Sequence, residues 1–205
     1  MNNFDPVARI YDRLSYLIFG KSMRRAQTAY LSDIGPGANV LVLGGGTGWL
    51  LSELSEVNPT CKVWYIDASA TMIELSKEVT RNSAHEIVFI HGTEDSIPPG
   101  TTFDAIITNF YLDLFPKESC VSAIRKIRPV IRANGIWLVC DFLNTTWWHS
   151  AMIGVMYQFF KLTCDIEASA LPQWKNLLEE NAFKEYKSSE FFGGFIKSAV
   201  FRLIY

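Results

Sequence analysis

The residues best suited to chemistry lie where a short apolar run meets a glycine-rich turn. Val40-Leu41-Val42-Leu43 is followed directly by Gly44-Gly45-Gly46-Thr47-Gly48. Glycines between a buried strand and a helix let the backbone bend tightly and let a ligand approach the main chain. An acid, Asp67, closes the next apolar run, Val63-Trp64-Tyr65-Ile66, and stands 23 residues after Gly44. A carboxylate at that place can accept both hydroxyl protons of an adenosine ribose. Strand, loop, helix, strand and acid in that order point to a nucleoside-bearing cofactor. The dinucleotide pattern GxGxxG needs a glycine at 49, where the chain has Trp49, whereas GxGxG is satisfied by Gly44, Gly46 and Gly48. A Rossmann-type oxidoreductase using NAD(P) is the less favoured alternative for that reason.

Other reactive side chains are scattered. Cysteines at 61, 120, 140 and 164 form no CxxC pair, and the histidines at 85, 91 and 149 complete no zinc pattern. The expectation is no metal and free thiols in a reducing, cytoplasmic compartment. Arg24 and Arg25 stand side by side before the glycine loop. They suit an anionic acceptor, the carboxylate of a cofactor, or simply a solvated helix face. Net charge is −2 over 205 residues, so there is no basic field to hold a nucleic acid.

These groups need a scaffold, and the chain reads as an alternating one. Asp5-Pro6 is an N-cap and first-turn proline for a helix bearing Val7, Ile10, Tyr11, Leu14, Leu17 and Ile18. A second helix over 21–33 stops at Gly35-Pro36-Gly37. Strands are predicted at 39–43, 62–66, 86–90, 103–108 and 136–140. Helices are predicted at 49–57, from a cap at Ser69 to about 81, and at 117–132, bent at Pro129. Such repetition implies a parallel sheet with helices on both faces. The end differs: a helix over 171–181 precedes strands at 183–190 and 197–204 around Phe192-Gly193-Gly194, a hairpin signal. The fold expected is α/β, a Rossmann-like doubly wound, seven-stranded, mostly parallel sheet ending in an antiparallel hairpin strand. One domain spans 1–205. It comprises a helical cap (1–35), a cofactor-binding core (36–141), an acceptor-side lid (142–170) and the last helix with its hairpin (171–205).

The glycine loop resembles the first motif of class I S-adenosylmethionine-dependent methyltransferases, and the resemblance extends over most of the chain. VWYIDAS (63–69) resembles their ribose-binding segment, and HGTEDSIP (91–98) their adenine-contacting segment. FDAIITNFYLDLFP (103–116) is similar to the fourth strand and its loop, IRPVIRANGIWLVCDF (127–142) to the helix, turn and fifth strand, and LLEENAFKEY (177–186) to the last helix before the hairpin. The start, DPVARIYDRLSYLIFG, resembles the quinone-biosynthesis C-methyltransferase branch, the UbiE-like group. The resemblance implies S-adenosylmethionine as cofactor and S-adenosylhomocysteine as product. It assigns the cofactor to Gly44, Gly46, Thr47, Gly48, Asp67, Ala68, Met72, Thr93, Glu94, Asp95 and Asn109, with Tyr11 as a lid. Four positions depart from the pattern: Val42 stands where the family has an acid, Thr93 stands where it often has an aspartate, leaving the adenine contact to Glu94 or Asp95, and Asp113 and Leu114 stand where the branch has two histidines.

Methyl transfer from a sulfonium is an in-line displacement, so much of the catalysis is positioning. A phenol, enol or activated carbon also needs a base. Asp113, Asp141 and His149 are the candidates, with Tyr11 and Tyr111 as hydrogen-bonding partners. Asn109-Phe110-Tyr111-Leu112 is not the Asn-Pro-Pro-aromatic motif of amino-methylating enzymes. A small acceptor is expected, and no nucleic acid.

The aromatic content is high, 14%, and uneven: six aromatic side chains fall between Phe142 and Phe160. That stretch is too polar for a membrane span. It suits a lid over a lipophilic or aromatic acceptor, a peripheral membrane contact, or a homodimer interface in place of a monomer. Val42 leaves open a binding module of this fold that does not turn over.

Overall fold

The computed structural model describes residues 17–81, 83, 85–163 and 170–204. The expected first helix and Tyr11 lie outside these residues, apart from residues 17–19, which are helical. Seven strands form one sheet: β1 (Asn39–Leu43), β2 (Lys62–Asp67), β3 (Glu86–His91), β4 (Phe103–Asn109), β5 (Ile131–Phe142), β6 (Phe183–Phe191) and β7 (Ile196–Leu203). Their order is β3-β2-β1-β4-β5-β7-β6. The first five run parallel, and β7 enters antiparallel between β5 and β6. The order reverses beside β1, and in open parallel sheets ligands bind outside the carboxyl ends at such a switch point.

The helices are α1 (Lys21–Thr28), α2 (Trp49–Val57), α3 (Ala70–Val79), α4 (Lys117–Ile127), α5 (Trp147–Thr163) and α6 (Trp174–Glu180). α3 starts where Ser69 predicts, since its hydroxyl accepts from the Met72 N–H. α1 is shorter than the spacing predicts. It stops at Thr28, whose hydroxyl bonds back to the Arg24 carbonyl at 3.0 Å, and only a 3₁₀ turn follows at Leu31–Asp33. α6 is likewise shorter than 171–181.

The largest correction is at residues 128–135. Helical spacing carries the prediction to 132, but α4 ends at Ile127 and β5 begins at Ile131. Pro129 has no N–H to continue the helix. Beyond it Phe103 of β4 supplies a pairing partner for Ile131, and the register then slips by a bulge.

Three apolar clusters hold the fold. One face of the sheet packs Leu41, Ile106, Trp137, Val139 and Phe201 under α4 and α6. The other packs Val40, Val42, Val63, Tyr65 and Ile107 under α2. The third sits at the carboxyl end of β5 and gathers Phe19, Met23, Phe110, Phe142, Ile153 and Phe195. Its rings are in close contact: Phe110–Phe142 centroids are 4.6 Å apart and Phe142–Phe195 4.8 Å. Trp174 ties α6 to this end by donating to the Phe142 carbonyl at 2.8 Å.

Candidate active site

The glycine loop lies at the carboxyl end of β1, between β2 and β4. Two of its glycines are demanded by their surroundings. Gly44 has φ +64°, and a Cβ there would stand 2.6 Å from the Tyr111 ring. Gly48 has φ +85°, and a Cβ there would stand 2.6 Å from the Ser76 Cα, so the third glycine lets α3 lie against the start of α2. Gly46 also has positive φ, but nothing lies within 4 Å of the place its Cβ would take. The loop therefore presents bare main chain to an open side.

Asp67 ends β2 and is 8% exposed. Its Oδ2 accepts from the Gly46 N–H at 2.9 Å and its Oδ1 from the Ser69 N–H at 2.8 Å. The acid and the loop are thus one unit, as the spacing predicts. Tyr65 was not anticipated as part of it. Its hydroxyl donates to the Gly46 carbonyl at 2.9 Å, and its ring fills the space above Gly45. The only sequence signal for that role is a bulky phenol on the same strand face as Val42, its register partner. Val42 is itself buried, so the position where the family has an acid carries an apolar core side chain here.

The remaining cofactor candidates fall around the same rim with different contacts. The Ala68 carbonyl is bonded to the His91 ring at 3.0 Å, and Met72 is buried. Thr93 caps the turn that carries Glu94 and Asp95. Glu94 is the buried acid of that pair: its Oε2 accepts from the Tyr111 hydroxyl at 2.7 Å and its Oε1 from Lys126 at 3.3 Å. Asp95 points to solvent and pairs with the same lysine. Asn109 ends β4, and its Nδ2 is buried with no hydrogen-bond partner among the described residues. Of the arginines, Arg24 lays its guanidinium over the Trp49 ring at 4.8 Å, at the first residue of α2.

Two of the three acid–base candidates come together. The Asp141 Oδ2 accepts from the Leu112 and Asp113 N–H groups at 3.1 and 3.2 Å, and its Oδ1 from the Phe142 N–H at 2.8 Å. Asp113 sits on the turn so held, and its Oδ1 is buried without a hydrogen-bond partner among the described residues. Burial pushes the Asp113 carboxyl up to about 7, partly offset by its own N–H and that of Leu114. Burial, then the neighbouring Asp113 charge, raises Asp141 well above the carboxylate range against its three N–H donors. Two carboxylates in such surroundings resist ionising together. The Tyr157 hydroxyl of α5 donates to the Asp113 carbonyl at 3.2 Å, which ties α5 to the same turn. His149 is placed apart, against Trp148 and Phe195, and its Nδ1 accepts from the Thr145 N–H at 3.2 Å.

The methyltransferase domain family matches residues 40–135, the segment from β1 to the start of β5. Residues 40–135 are thus a methyltransferase domain of the class I S-adenosylmethionine-dependent type. It is 27% identical over 186 residues to the ubiquinone/menaquinone biosynthesis C-methyltransferase UbiE of Hahella chejuensis, covering 87% of this chain and 70% of that one. It is 29% identical over 164 residues to the UbiE of Pseudomonas fluorescens, covering 77% of this chain and 62% of that one. The chain thus spans about two thirds of the length of these relatives. Among solved structures, the N-methyltransferase NodS of Bradyrhizobium japonicum in complex with S-adenosylhomocysteine superposes with a TM-score of 0.67. That match has 17% identity and covers 89% of this chain and 86% of NodS. S-Adenosylmethionine is the cofactor of this superfamily, and the residues present fit it. The glycine loop and the Asp67 carboxylate bonded to it lie at the switch point of the sheet, where such a cofactor would bind, and the Asn109 amide is buried with no hydrogen-bond partner among the described residues. Among the described residues no cluster could hold a metal ion, and no helix is long and apolar enough to cross a membrane.

Proposed function

We propose that this protein transfers a methyl group from S-adenosylmethionine to a carbon of a small, lipophilic, aromatic acceptor such as a hydroquinone. The observation that supports the cofactor half is the Asp67–Gly46 bond, which joins the ribose-type acid to the exposed loop. Bound cofactor supplies a methyl group on a positively charged sulfur. Everything else falls to the protein. Gly44, Gly46, Thr47 and Gly48 bind the donor along the loop. Asp67 holds the ribose hydroxyls, and Ala68, Met72, Thr93, Glu94, Asp95 and Asn109 complete the rim.

The acceptor half rests on the third apolar cluster. Phe110 and Phe142 stand at the carboxyl ends of β4 and β5, beside the lid helix α5, and exclude water from one flank of the site. The quinone-pathway relatives support a hydroquinone ring as the occupant. Such a ring attacks through carbon: a carbon–carbon bond forms, the carbon–sulfur bond breaks, and one proton must leave. Asp113 is the proton acceptor. A carboxyl near 7 has a basicity matched to a phenol at working pH better than an ordinary aspartate does. Asp141 acts through it, by holding the turn. Arg24 and His149 are kept for positioning.

A cofactor-binding module without turnover is the second reading, and Val42 favours it. The two separate in one experiment. Purified protein is incubated with methyl-labelled S-adenosylmethionine and a series of hydroquinones lacking one ring substituent. Label in a carbon-methylated product supports the proposal. Binding of S-adenosylhomocysteine by calorimetry with no product from any acceptor supports the module. No binding of S-adenosylhomocysteine at all overturns both.

A further inference from the structure

Tyr111 holds a place that neither the sequence pattern nor the family assignment explains. It follows β4 by two residues, and the edge of its ring abuts Gly44, with Cδ2 2.6 Å from where a Cβ would be. One edge meets Phe115 at a centroid distance of 5.0 Å. The hydroxyl reaches across to Glu94 and donates to its Oε2 at 2.7 Å. The ring is 7% exposed. Burial, then the charges of Glu94 and Asp67, push the phenol well above its usual value, so it stays a neutral donor. A single aromatic ring therefore touches the first loop glycine, bonds the buried acid after β3 and feels the charge of the acid after β2.

Resting on the cofactor reading above, we infer that Tyr111 occupies the nucleoside site as an internal stand-in for the purine. The chemistry matches. An aromatic ring whose edge abuts the first loop glycine presents an O–H donor to Glu94, as a purine would present its exocyclic N–H. Lys126 satisfies the other oxygen of Glu94 and bridges it to Asp95, so the acceptor is fixed in place. Cofactor and Tyr111 then compete for one carboxylate oxygen. Binding requires the phenol to leave Glu94, and the affinity of the protein is reduced by the strength of that bond. Tyr111 is in this sense a tuning residue for cofactor affinity.

The test is a comparison of wild type with Tyr111→Phe, which keeps the ring and removes the donor. S-Adenosylhomocysteine is titrated into each by calorimetry. A charge-assisted bond of this length predicts that the Phe variant binds about tenfold more tightly. The second readout is the near-ultraviolet difference spectrum at saturating ligand. Wild type is expected to show a tyrosine perturbation that the variant lacks. Equal or weaker binding by the variant, or identical difference spectra, would overturn the inference while leaving the cofactor reading intact. If neither protein binds the ligand, the cofactor reading fails and takes this inference with it.

Discussion

Replacing Asp113 with Asn tests the buried carboxylate pair through stability alone, before any acceptor is known. In the unfolded chain this carboxyl ionises near 3.8, and in the folded protein near 7. Between those values the folded state keeps a proton that the unfolded state has released. Stability is therefore full below about pH 4, falls as pH rises, and levels off above about pH 7. At 1.36 kcal/mol per unit the loss is about 4 kcal/mol. Asp141 is shifted in the same direction by burial and by Asp113, so it adds to the decline and carries it beyond the point where the Asp113 contribution levels off. An amide of the same shape carries no charge to desolvate and none to repel Asp141. Asp113→Asn should match wild type near pH 4 and exceed it at pH 8.5, by roughly 10 °C in melting temperature for a chain of this size. The assay is thermal unfolding at half-unit pH steps from 4 to 9. Parallel curves for the two proteins, or a variant less stable at pH 8.5, would refute the reasoning.

Asp67→Ala should weaken S-adenosylhomocysteine binding at least about tenfold, because it removes a carboxylate that accepts from the loop and that the proposed function gives to the ribose; calorimetry decides it. Gly48→Ala forces a left-handed alanine onto the Ser76 backbone and should cost about 2–3 kcal/mol in chemical denaturation. Trp174→Ala removes a buried indole and its bond to the Phe142 carbonyl, and should cost about 3–5 kcal/mol by the same measurement.

The parts of the site that depend on neighbours in sequence were legible in it. Gly44 to Gly48, Asp67 and the Ser69 cap are written in local spacing, because a tight turn and a helix start restrict residue type directly. The mostly parallel sheet followed from strand–helix alternation, and its antiparallel end from the hairpin signal at Phe192-Gly193-Gly194. What escaped depends on partners brought from afar. Ile131 looks helical beside Ile124 and Ile127, and only Phe103 across the sheet makes it a strand. Tyr111 and Glu94 are 17 residues apart, and Asp113 and Asp141 are 28 apart. The sequence offered these as separate acids and phenols, since neither pairing has a periodic signature. Tyr65 was hidden because a tyrosine in an apolar strand reads as core, and it is core, with only its hydroxyl serving the loop.

The aromatic cluster at the carboxyl end of β5 has a kinetic consequence. Phe19, Phe110, Phe142, Ile153 and Phe195 come from five distant stretches of chain, whereas β1, β2 and β4 are knit by adjacent strand pairing. Loosening those rings exposes apolar surface locally and breaks none of the ladder hydrogen bonds that carry the glycine loop. The acceptor flank can therefore open as a unit of its own, on a free-energy scale below global unfolding. Amide exchange should then fall into two tiers, fast at the start of α5 and the 191–196 turn, slow in β1 and β4. Under the proposed function, an oily acceptor would enter and leave through that fast tier while the glycine loop stayed assembled.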